Sequence, residues 1–400
     1  MVNLKEETAS LCLTVLSPVN IGGSAVLSAK DYLYDPKKQK AYFLDRQAWH
    51  FYIYENKWLA SYEKYVADSR NTRNLLDWLK EAARKRDTAE LIAELDEKKC
   101  ITGAAEAEVN VTDAKGKQSL NDVCPQVRNA KGSVYFPGSS LKGVFRTAIL
   151  YALLQKDAAL KARYWGKIQQ AVLANKDSNQ KYFKNALGKL AGELEASLIN
   201  KLEAGGQADA GSQSAVSSAL KGLQVSDTYS GEGIKTAILQ KVDVSLYADG
   251  DAGEHPLPIF RECVLPGAKL FFDMKLDKAV MGTIGITSIG ELLEITRGFF
   301  NFNIGLLKSA FGRAYGEPFG LIQDANMFVG SNTGFLSKTL VAAAAPTPEA
   351  ARGIIRLILD KSFKDHKHLY KDKLISPRTL KITKWQGRSM LMGLAKVDKL

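Results

Sequence analysis

A turn of glycine, serine and basic residues leads directly into an apolar stripe of helical spacing at 137–152, and this junction constrains the fold most. Glycine lets backbone N–H groups approach an anion, and the start of a helix adds the positive end of its dipole. Ser139 or Ser140 is the expected N-cap of this helix, and both hydroxyls are candidate contacts to the anion. The helical stripe consists of Leu141, Val144, Phe145, Ala148, Ile149 and Ala152.

A second turn of similar composition follows at 329–339, far from the first in the sequence. Two such turns suggest two anion-binding loops on one surface, although a flexible loop without a ligand has the same composition. The net charge of +12 agrees with an anionic partner. The candidate contacts in this second turn are Gly330, Ser331, Asn332, Thr333, Gly334 and Lys338.

The basic residues are concentrated near the C-terminal end. Residues 352–400 hold thirteen lysines and arginines against four acidic residues, a surplus of nine that leaves only three for the rest of the chain. Clustering of this kind is typical of nucleic-acid binding. A solvated basic face or an anionic protein partner would produce the same count.

Strand and helix patterns alternate in both halves of the chain, without a long parallel β-α-β series, and this predicts the α+β class. Short apolar runs predict strands at 11–16, 223–227, 237–246, 260–265 and 379–383. Turns predict one hairpin around residues 35–37 and another around Pro266-Gly267-Ala268.

The length of 400 residues predicts two domains, 1–222 and 223–400, the second with a basic tail. Helical spacing among dense charges predicts two helical insertions in the first domain, at about 58–99 and 156–203. The small, polar stretch at 204–214 predicts a mobile loop just before the boundary.

Several classes of function find no support in the sequence. It has no run of about 18 apolar residues and no signal-peptide layout at its start, so a soluble cytoplasmic protein without membrane contact is expected. The four cysteines are scattered, which favours free thiols over disulfides or zinc. His366 and His368 lack further ligands, and no Ser/His/Asp or Cys/His set is recognisable, so no metal, cofactor or catalytic residue is predicted.

Two pairs of basic side chains are candidates for phosphate contact. Lys142 and Arg146 lie one helical turn apart beside the first glycine turn, where the alternative is a solvated helix face. Arg378 and Lys381 lie in the basic tail near the aromatic rings of Tyr370 and Trp385. These rings could stack on bases, although aromatic residues in short strands more often belong to the core.

Four segments of the sequence together resemble a known family. They are 13–22 (LTVLSPVNIG), 136–147 (FPGSSLKGVFRT), 329–335 (VGSNTGF) and 376–383 (SPRTLKIT), and they run in family order to the C-terminal end. They resemble the RAMP superfamily of CRISPR proteins, and within it the family of fifth subunits of type III-A Csm effector complexes. One departure is Ala395 in Gly393-Leu394-Ala395-Lys396, where many relatives have cysteine.

The resemblance implies tandem ferredoxin-like, RRM-related domains and a subunit that binds RNA rather than cutting it. It also implies a position at the 3′ end of the CRISPR RNA, where the subunit caps the backbone filament and supports maturation of that end. The implied partners are CRISPR RNA, neighbouring Csm backbone subunits, the small subunit, and host nucleases that trim the RNA.

Two other functions compete with this one. A metal-independent CRISPR RNA endonuclease of the same superfamily would use a histidine or tyrosine as general base and a lysine to stabilise charge on phosphorus. The four histidines of this chain are scattered away from both glycine motifs, which weakens that alternative. A protein-assembly module would instead use the basic tail to meet an acidic partner.

Overall fold

The computed structural model describes residues 5–23, 26–68, 74–85, 87–109, 120–202, 215–231 and 233–400. The predicted mobile loop at 204–214 lies outside these ranges. Within them the strands are β1 (Glu6–Val15), β2 (Tyr32–Asp35), β3 (Lys40–Leu44), β4 (Ile101–Glu108), β5 (Val123–Cys124), β6 (Leu223–Val225), β7 (Thr236–Leu246), β8 (Ala252–Val264), β9 (Lys269–Asp277), β10 (Met327–Phe328), β11 (Thr379–Trp385), β12 (Arg388–Leu391) and β13 (Leu394–Lys399).

The helices of the described ranges fall mostly between these strands. They are α1 (Arg46–Glu55), α2 (Leu59–Ala67), α3 (Leu75–Ala82), α4 (Thr88–Glu97), α5 (Gly138–Lys156), α6 (Ala158–Ala174), α7 (Gln180–Ile199), α8 (Lys278–Gly282), α9 (Ile289–Phe311), α10 (Val341–Ala344), α11 (Pro348–Ser362) and α12 (His368–Lys371). The mixture of sheets and separate helices confirms the α+β class. The predicted helical stretch at 58–99 contains α2, α3 and α4, and the one at 156–203 contains α6 and α7, joined by a short turn.

The first sheet has five antiparallel strands in the order β10-β13-β1-β9-β6. Strand β1 is interior, with Leu13 opposite Val397 of β13 on one side and Leu270 of β9 on the other. Along the chain, β1, α5, β6, β9, α9 and β13 form a β-α-β-β-α-β succession. This succession uses the N-terminal strand, the C-terminal strand and segments from the middle of the sequence.

The second sheet has eight strands. Its main path is β12-β11-β7-β4-β3-β2, and β8 pairs with both β7 and β5. One edge of β7 runs along β8, while β4 and β11 share the other edge. The predicted hairpin around residues 35–37 is confirmed, because β2 pairs with β3 across that turn.

The predicted hairpin around Pro266-Gly267-Ala268 is wrong. Strand β8 pairs with β7 in the second sheet, whereas β9 pairs with β1 in the first. The turn hydrogen-bonds to the end of β1 instead, with the Gly267 N–H donating to the Val15 oxygen at 2.8 Å and the Val15 N–H donating to the Ala268 oxygen at 2.9 Å. The chain therefore crosses from one sheet to the other at this turn.

The predicted domain boundary at residues 222/223 does not separate the sheets. Strand β1 lies on one side of that boundary, and its partners β9 and β13 lie on the other. In the second sheet, β4 pairs in parallel with β7 across the same boundary. A division there would cut strand pairings in both sheets.

One large apolar core joins the first sheet to its helices. Leu11 and Leu13 of β1, Phe272 of β9 and Phe145 of α5 are fully buried in this core, which extends over α6, α7 and α11. Helices α1–α4 form a separate core with the β2–β3 hairpin. Burial of this kind is the dominant favourable term in folding, and here it holds α5 and α9 against one sheet.

Candidate functional site

The two glycine turns meet at one cleft of about 360 Å³. Its walls also include the start of α5, the middle of α9, strand β10 and the turn after β1. The lining residues are Ile21, Gly22, Ser140, Gly143, Val144, Thr147, Thr296, Phe299, Phe300, Met327, Phe328, Gly330, Ser331, Thr333, Ser337 and Lys338. The first and second turns are about 190 residues apart in sequence, so this meeting is a product of the tertiary fold.

The lining of the cleft is rich in hydroxyl groups and contains no acidic residue. A hydroxyl has one O–H to donate, and those of Thr147, Thr296, Ser331 and Ser337 already donate within the protein. The hydroxyls of Ser140 and Thr333 are the lining donors that can turn toward an anionic oxygen. Lys338 supplies the one charged side chain of the lining, and Phe299 and Phe300 supply aromatic surface. Such a lining suits a phosphate-bearing ligand better than a cation.

The second glycine turn is anchored to the loop that follows β1 through the fully buried Asn20. The Ser331 N–H donates to the Asn20 backbone oxygen, and the Ser331 hydroxyl donates to Asn20 Oδ1, both at 2.7 Å. Asn20 Nδ2 in turn donates to the Glu262 backbone oxygen at 2.8 Å. These hydrogen bonds fix the position of the turn relative to both sheets.

A second set of contacts shapes the far end of this turn. The Ser337 hydroxyl donates to the Thr333 oxygen at 3.0 Å and lies 2.9 Å from Thr333 Oγ1. Asn332 adopts a positive φ of 61°, and its Nδ2 lies 3.5 Å from the sulfur of Met392. The predicted residues Asn332 and Gly334 therefore flank the cleft without lining it.

Lys338 is exposed and has no carboxylate partner in the part of the chain that the structure describes. Desolvation by surrounding atoms lowers its pKa, and the neighbouring positive charge of Arg261 lowers it further. Two cations held near each other without an acid between them favour an anionic ligand, because that ligand relieves their repulsion.

The start of α5 differs from the prediction. The N-cap is Pro137, not Ser139 or Ser140, and it makes no side-chain hydrogen bond. The Gly138 N–H instead donates to the carboxylate of Asp227 at 2.7 Å. The first helical N–H is thus already occupied by an acid from the loop after β6, so this atom is not free for a phosphate.

Lys142 and Arg146 lie on a different face of α5 from the cleft-lining residues. The Lys142 ammonium donates to the Leu223 oxygen at 2.6 Å, and desolvation there lowers its pKa. The Arg146 guanidinium pairs with both oxygens of Glu195 in α7. The structure therefore gives both side chains an internal partner. It leaves Ser139 exposed outside the cleft and brings Ser140 into the lining.

The predicted pair in the basic tail also has internal partners. Arg378 lies 2.9 Å from the carboxylate of the buried Asp372, which also binds His368 and Ser376. Lys381 lies 2.5 Å from Asp243 of β7. Neither side chain lines the cleft, although Lys381 borders a small cavity beneath the second glycine turn.

The four histidines lie away from the cleft. His368 is buried against Asp372, and His366 stacks on Phe363 with ring centroids 5.6 Å apart. His255 contacts Tyr247, and His50 lies near Tyr62. The described ranges contain no group of three or more side chains arranged to hold a metal ion.

Sequence reasoning missed several residues that build this site, above all Asn20, Arg261 and Thr147. Asn20 directly precedes the turn Ile21-Gly22-Gly23, and an amide side chain at that place is the sequence signal that could have identified it. Thr147 lies seven residues after Ser140, and that helical spacing puts both on the cleft face of α5.

The fold and this site define a class of protein. The model of the RAMP superfamily matches residues 12–310, three quarters of the chain, and the chain belongs to that superfamily. Among named relatives, the CRISPR system Cms protein Csm5 of Mycobacterium tuberculosis is 24% identical over 395 residues, which cover 96% of this chain and 95% of the relative. The Csm5 of Enterococcus italicus is 22% identical over 90% of this chain and 87% of its own length.

Solved structures agree on the fold. A chain in the cryo-EM structure of a Csm-crRNA-target RNA ternary complex from a type III-A CRISPR-Cas system matches with a TM-score of 0.64 and 17% identity, covering 98% of this chain and 100% of its own. The crystal structure of T. onnurineus Csm5 matches with a TM-score of 0.57 and 17% identity, covering 96% and 99%. In the described ranges, no helix combines the length and the apolar character needed to cross a bilayer.

Proposed function

We propose that this protein is an RNA-binding subunit of a type III-A Csm effector complex, and that its cleft holds the backbone of the CRISPR RNA. The observation that carries the proposal is the meeting of both glycine turns at a cleft with hydroxyl groups, a lysine and no acid. The named Csm5 relatives, matched over nearly their whole length, supply the biological setting.

The proposed role is noncatalytic. Apart from Lys338, the cleft lining has no side chain that commonly exchanges protons in catalysis, since histidine, cysteine, tyrosine, aspartate and glutamate are all absent from it. A binding site needs only donors and positive charge, and the cleft provides both. The subunit would then hold RNA without turning it over.

The proposed position is at the 3′ end of the CRISPR RNA, where the subunit caps the backbone filament and supports maturation of that end. Its partners would be the neighbouring Csm backbone subunits, the small subunit and the nucleases that trim the RNA in the cytoplasm. This part of the proposal rests on the similarity to Csm5 relatives rather than on any side chain.

The proposed architecture is a tandem of ferredoxin-like domains assembled through space. The first sheet with α5 and α9 has the β-α-β-β-α-β succession of one such domain. The second sheet would form the core of the other. Because strands from both halves of the chain enter each sheet, the two domains interleave along the sequence.

The test is a Lys338→Ala variant with a labelled RNA that contains a CRISPR repeat. Affinity should fall about tenfold, the lower end of the effect of one hydrogen bond to a charged group, and the salt slope should become shallower by about 0.7 because one phosphate contact is lost. Fluorescence polarisation at two salt concentrations measures both. Lys64→Ala, on an exposed helical lysine outside the cleft, is the matched control.

The same samples, run on a denaturing gel with and without Mg²⁺, test the noncatalytic role. Intact RNA with salt-sensitive binding supports the proposal. Defined cleavage that follows the protein through purification would favour the endonuclease instead. Equal affinity of Lys338→Ala and wild type would remove the cleft from the RNA site.

A further inference from the structure

A second and larger groove, of about 1430 Å³, shares no lining residue with the cleft. It lies where β3 and β4 of the second sheet face residues 230–231 and 233–236, the turn 265–269 and the end of β11. Neither glycine motif contributes to it, so the function proposed above leaves this groove unexplained.

The floor of the groove is an uncovered part of the second sheet. Thr102, Gly103 and Ala104 of β4 are exposed, and this part of β4 pairs with β3 only, because β7 joins β4 from Glu106 onward. A Cβ placed on Gly103 would meet no atom within 4 Å. A stretch of strand with small, exposed residues and one open edge offers a surface that an extended ligand can approach closely.

The walls of the groove carry aromatic rings. Phe43, Phe271 and Trp385 line it and are half-buried, and Phe271 has its ring centroid 6.0 Å from that of Tyr229. Tyr229 is 53% exposed. Rings that come from three separate strands and stay accessible to solvent provide stacking surface along the groove.

The charges of the groove are mainly positive. Lys235 and Lys269 are exposed and have no ion-pair partner among the residues that the structure describes. Lys40 lies opposite Glu106 in the strand pairing, and its ammonium lies 5.5 Å from the ring centroid of Tyr42. The remaining carboxylate, Glu262, is 1% exposed and already binds Arg128, Thr236 and Gln126.

We propose that this groove binds an extended single strand of RNA, with phosphates at Lys235 and Lys269 and bases stacked on Trp385 and Phe43. Unpaired positive charge beside accessible rings is the combination by which proteins bind single strands without reading their sequence. A duplex would keep its bases paired and unable to reach the rings. The inference rests on the proposed RNA-binding function and adds a second site to it.

The test uses the full chain, a fluorescein-labelled oligouridine of twelve nucleotides, and the double variant Lys235→Ala with Lys269→Ala. Affinity should fall at least tenfold, and the salt slope should become shallower by about 1.4 because two phosphate contacts are lost. Lys64→Ala with Lys98→Ala removes the same charge from two exposed lysines outside the groove, one in α2 and one just after α4, and should leave both quantities nearly unchanged.

A second variant examines stacking. Trp385→Ala should weaken oligouridine binding at least fivefold, and Trp385→Phe should restore most of it because a ring is still present. Photocrosslinking of a 4-thiouridine oligomer should label peptides that contain Trp385 or Phe43. The lysine pair keeps the test decisive if Trp385→Ala unfolds, since both lysines are exposed.

Three results would overturn the inference. Wild-type affinity of the groove double variant, together with weakened binding by Lys338→Ala, would reject the groove and leave the proposed function standing. Crosslinks confined to 329–338 would do the same. Failure of the wild-type protein to bind either the oligouridine or the repeat-containing RNA would reject both the groove and the proposed function.

Discussion

At the scale of single residues, the conformation of the second glycine turn depends on two glycines in different surroundings. Gly330 has a φ of 86°, and a Cβ there would lie 2.5 Å from the Asn20 oxygen. Gly334 has a φ of 92°, but a Cβ there would meet nothing within 4 Å. The positive φ favours glycine at both positions. At Gly330, in addition, a side chain would collide with the Asn20 backbone.

Gly330→Ala should therefore destabilise the protein more than Gly334→Ala. We expect a loss of about 1–2 kcal/mol in the free energy of unfolding at Gly334 from left-handed strain alone, and about 2–4 kcal/mol at Gly330, where a backbone contact must also move. Urea denaturation of the two variants measures the difference. Equal losses would mean that the contact with Asn20 does not constrain the turn.

Asp372 is the centre of a buried polar network in the basic tail. It is fully buried and accepts hydrogen bonds from His368, Ser376 and Arg378. Burial raises the pKa of this carboxyl, but the three hydrogen bonds outweigh burial and leave the pKa below its ordinary value of 3.8. The role of Arg378 in the structure is thus to neutralise this acid.

Asp372→Asn should lower the free energy of unfolding by about 3 kcal/mol at pH 7, because Arg378 would be left nearly buried without its counter-charge. The exposed Asp365→Asn is the matched control and should change stability by less than about 0.5 kcal/mol. Guanidinium denaturation measures both. A loss at Asp372 as small as at Asp365 would show that the network adds no stability.

The difference in stability between wild type and Asp372→Asn should depend on pH. A carboxyl whose pKa is lower in the folded state stabilises the protein fully above its unfolded pKa, and this stabilisation is lost as the pH falls through the lower folded value. The stability difference between wild type and Asp372→Asn should hold from pH 7 to about pH 5 and shrink below about pH 4. A constant difference down to pH 3 would contradict the assignment.

At the scale of elements, the first turn of α5 is stabilised by a residue that lies outside the helix. Its first N–H is satisfied by Asp227, which lies just after β6, so the helix start and that strand are connected directly. A Cβ on Gly138 would lie 2.3 Å from the Val225 oxygen, and this close approach explains the glycine. Gly138 therefore lets α5 pack closely against β6, while Ser140 and Gly143, further along the helix, line the cleft.

Asp227→Ala should destabilise the protein by about 1 kcal/mol, the usual effect of removing a carboxylate that caps a helix. Thermal unfolding followed by circular dichroism measures the change, and the exposed Asp177→Ala is the control. An unchanged midpoint would mean that water replaces the carboxylate without loss.

At the scale of the whole molecule, both sheets depend on contacts between distant parts of the chain. Strand β1 obtains both of its neighbours, β9 and β13, from residues beyond 268. The large core likewise draws on residues from 9 to 397. The molecule should consequently fold around contacts of large sequence separation.

Residues 1–222 and 223–400 produced separately should each lack a cooperative unfolding transition. The first fragment would leave β1 without either partner, and the second would leave β9 and β13 without the strand between them. Near-ultraviolet circular dichroism of each fragment during heating tests this. A sharp transition in the fragment 1–222 alone would restore the predicted domain boundary.

Much of the local structure could be predicted from the sequence because hydrophobic period and turn chemistry are local signals. The apolar stripe after residue 140 identified α5, and the turn around residues 35–37 identified the β2–β3 hairpin. The four family segments identified the RAMP superfamily, which the match over residues 12–310 confirmed. RNA contact by individual residues of the cleft stays a prediction.

Tertiary structure alone decided which of these elements meet. Pairing partners and side-chain neighbours depend on packing between residues hundreds of positions apart, and no local pattern encodes them. Thus the sequence placed Lys142 and Arg146 beside a glycine turn, but the fold turned them toward Leu223 and Glu195. The same fold brought Ser140 and Lys338 to one cleft, because β1, α5 and the loop after β10 share a single core.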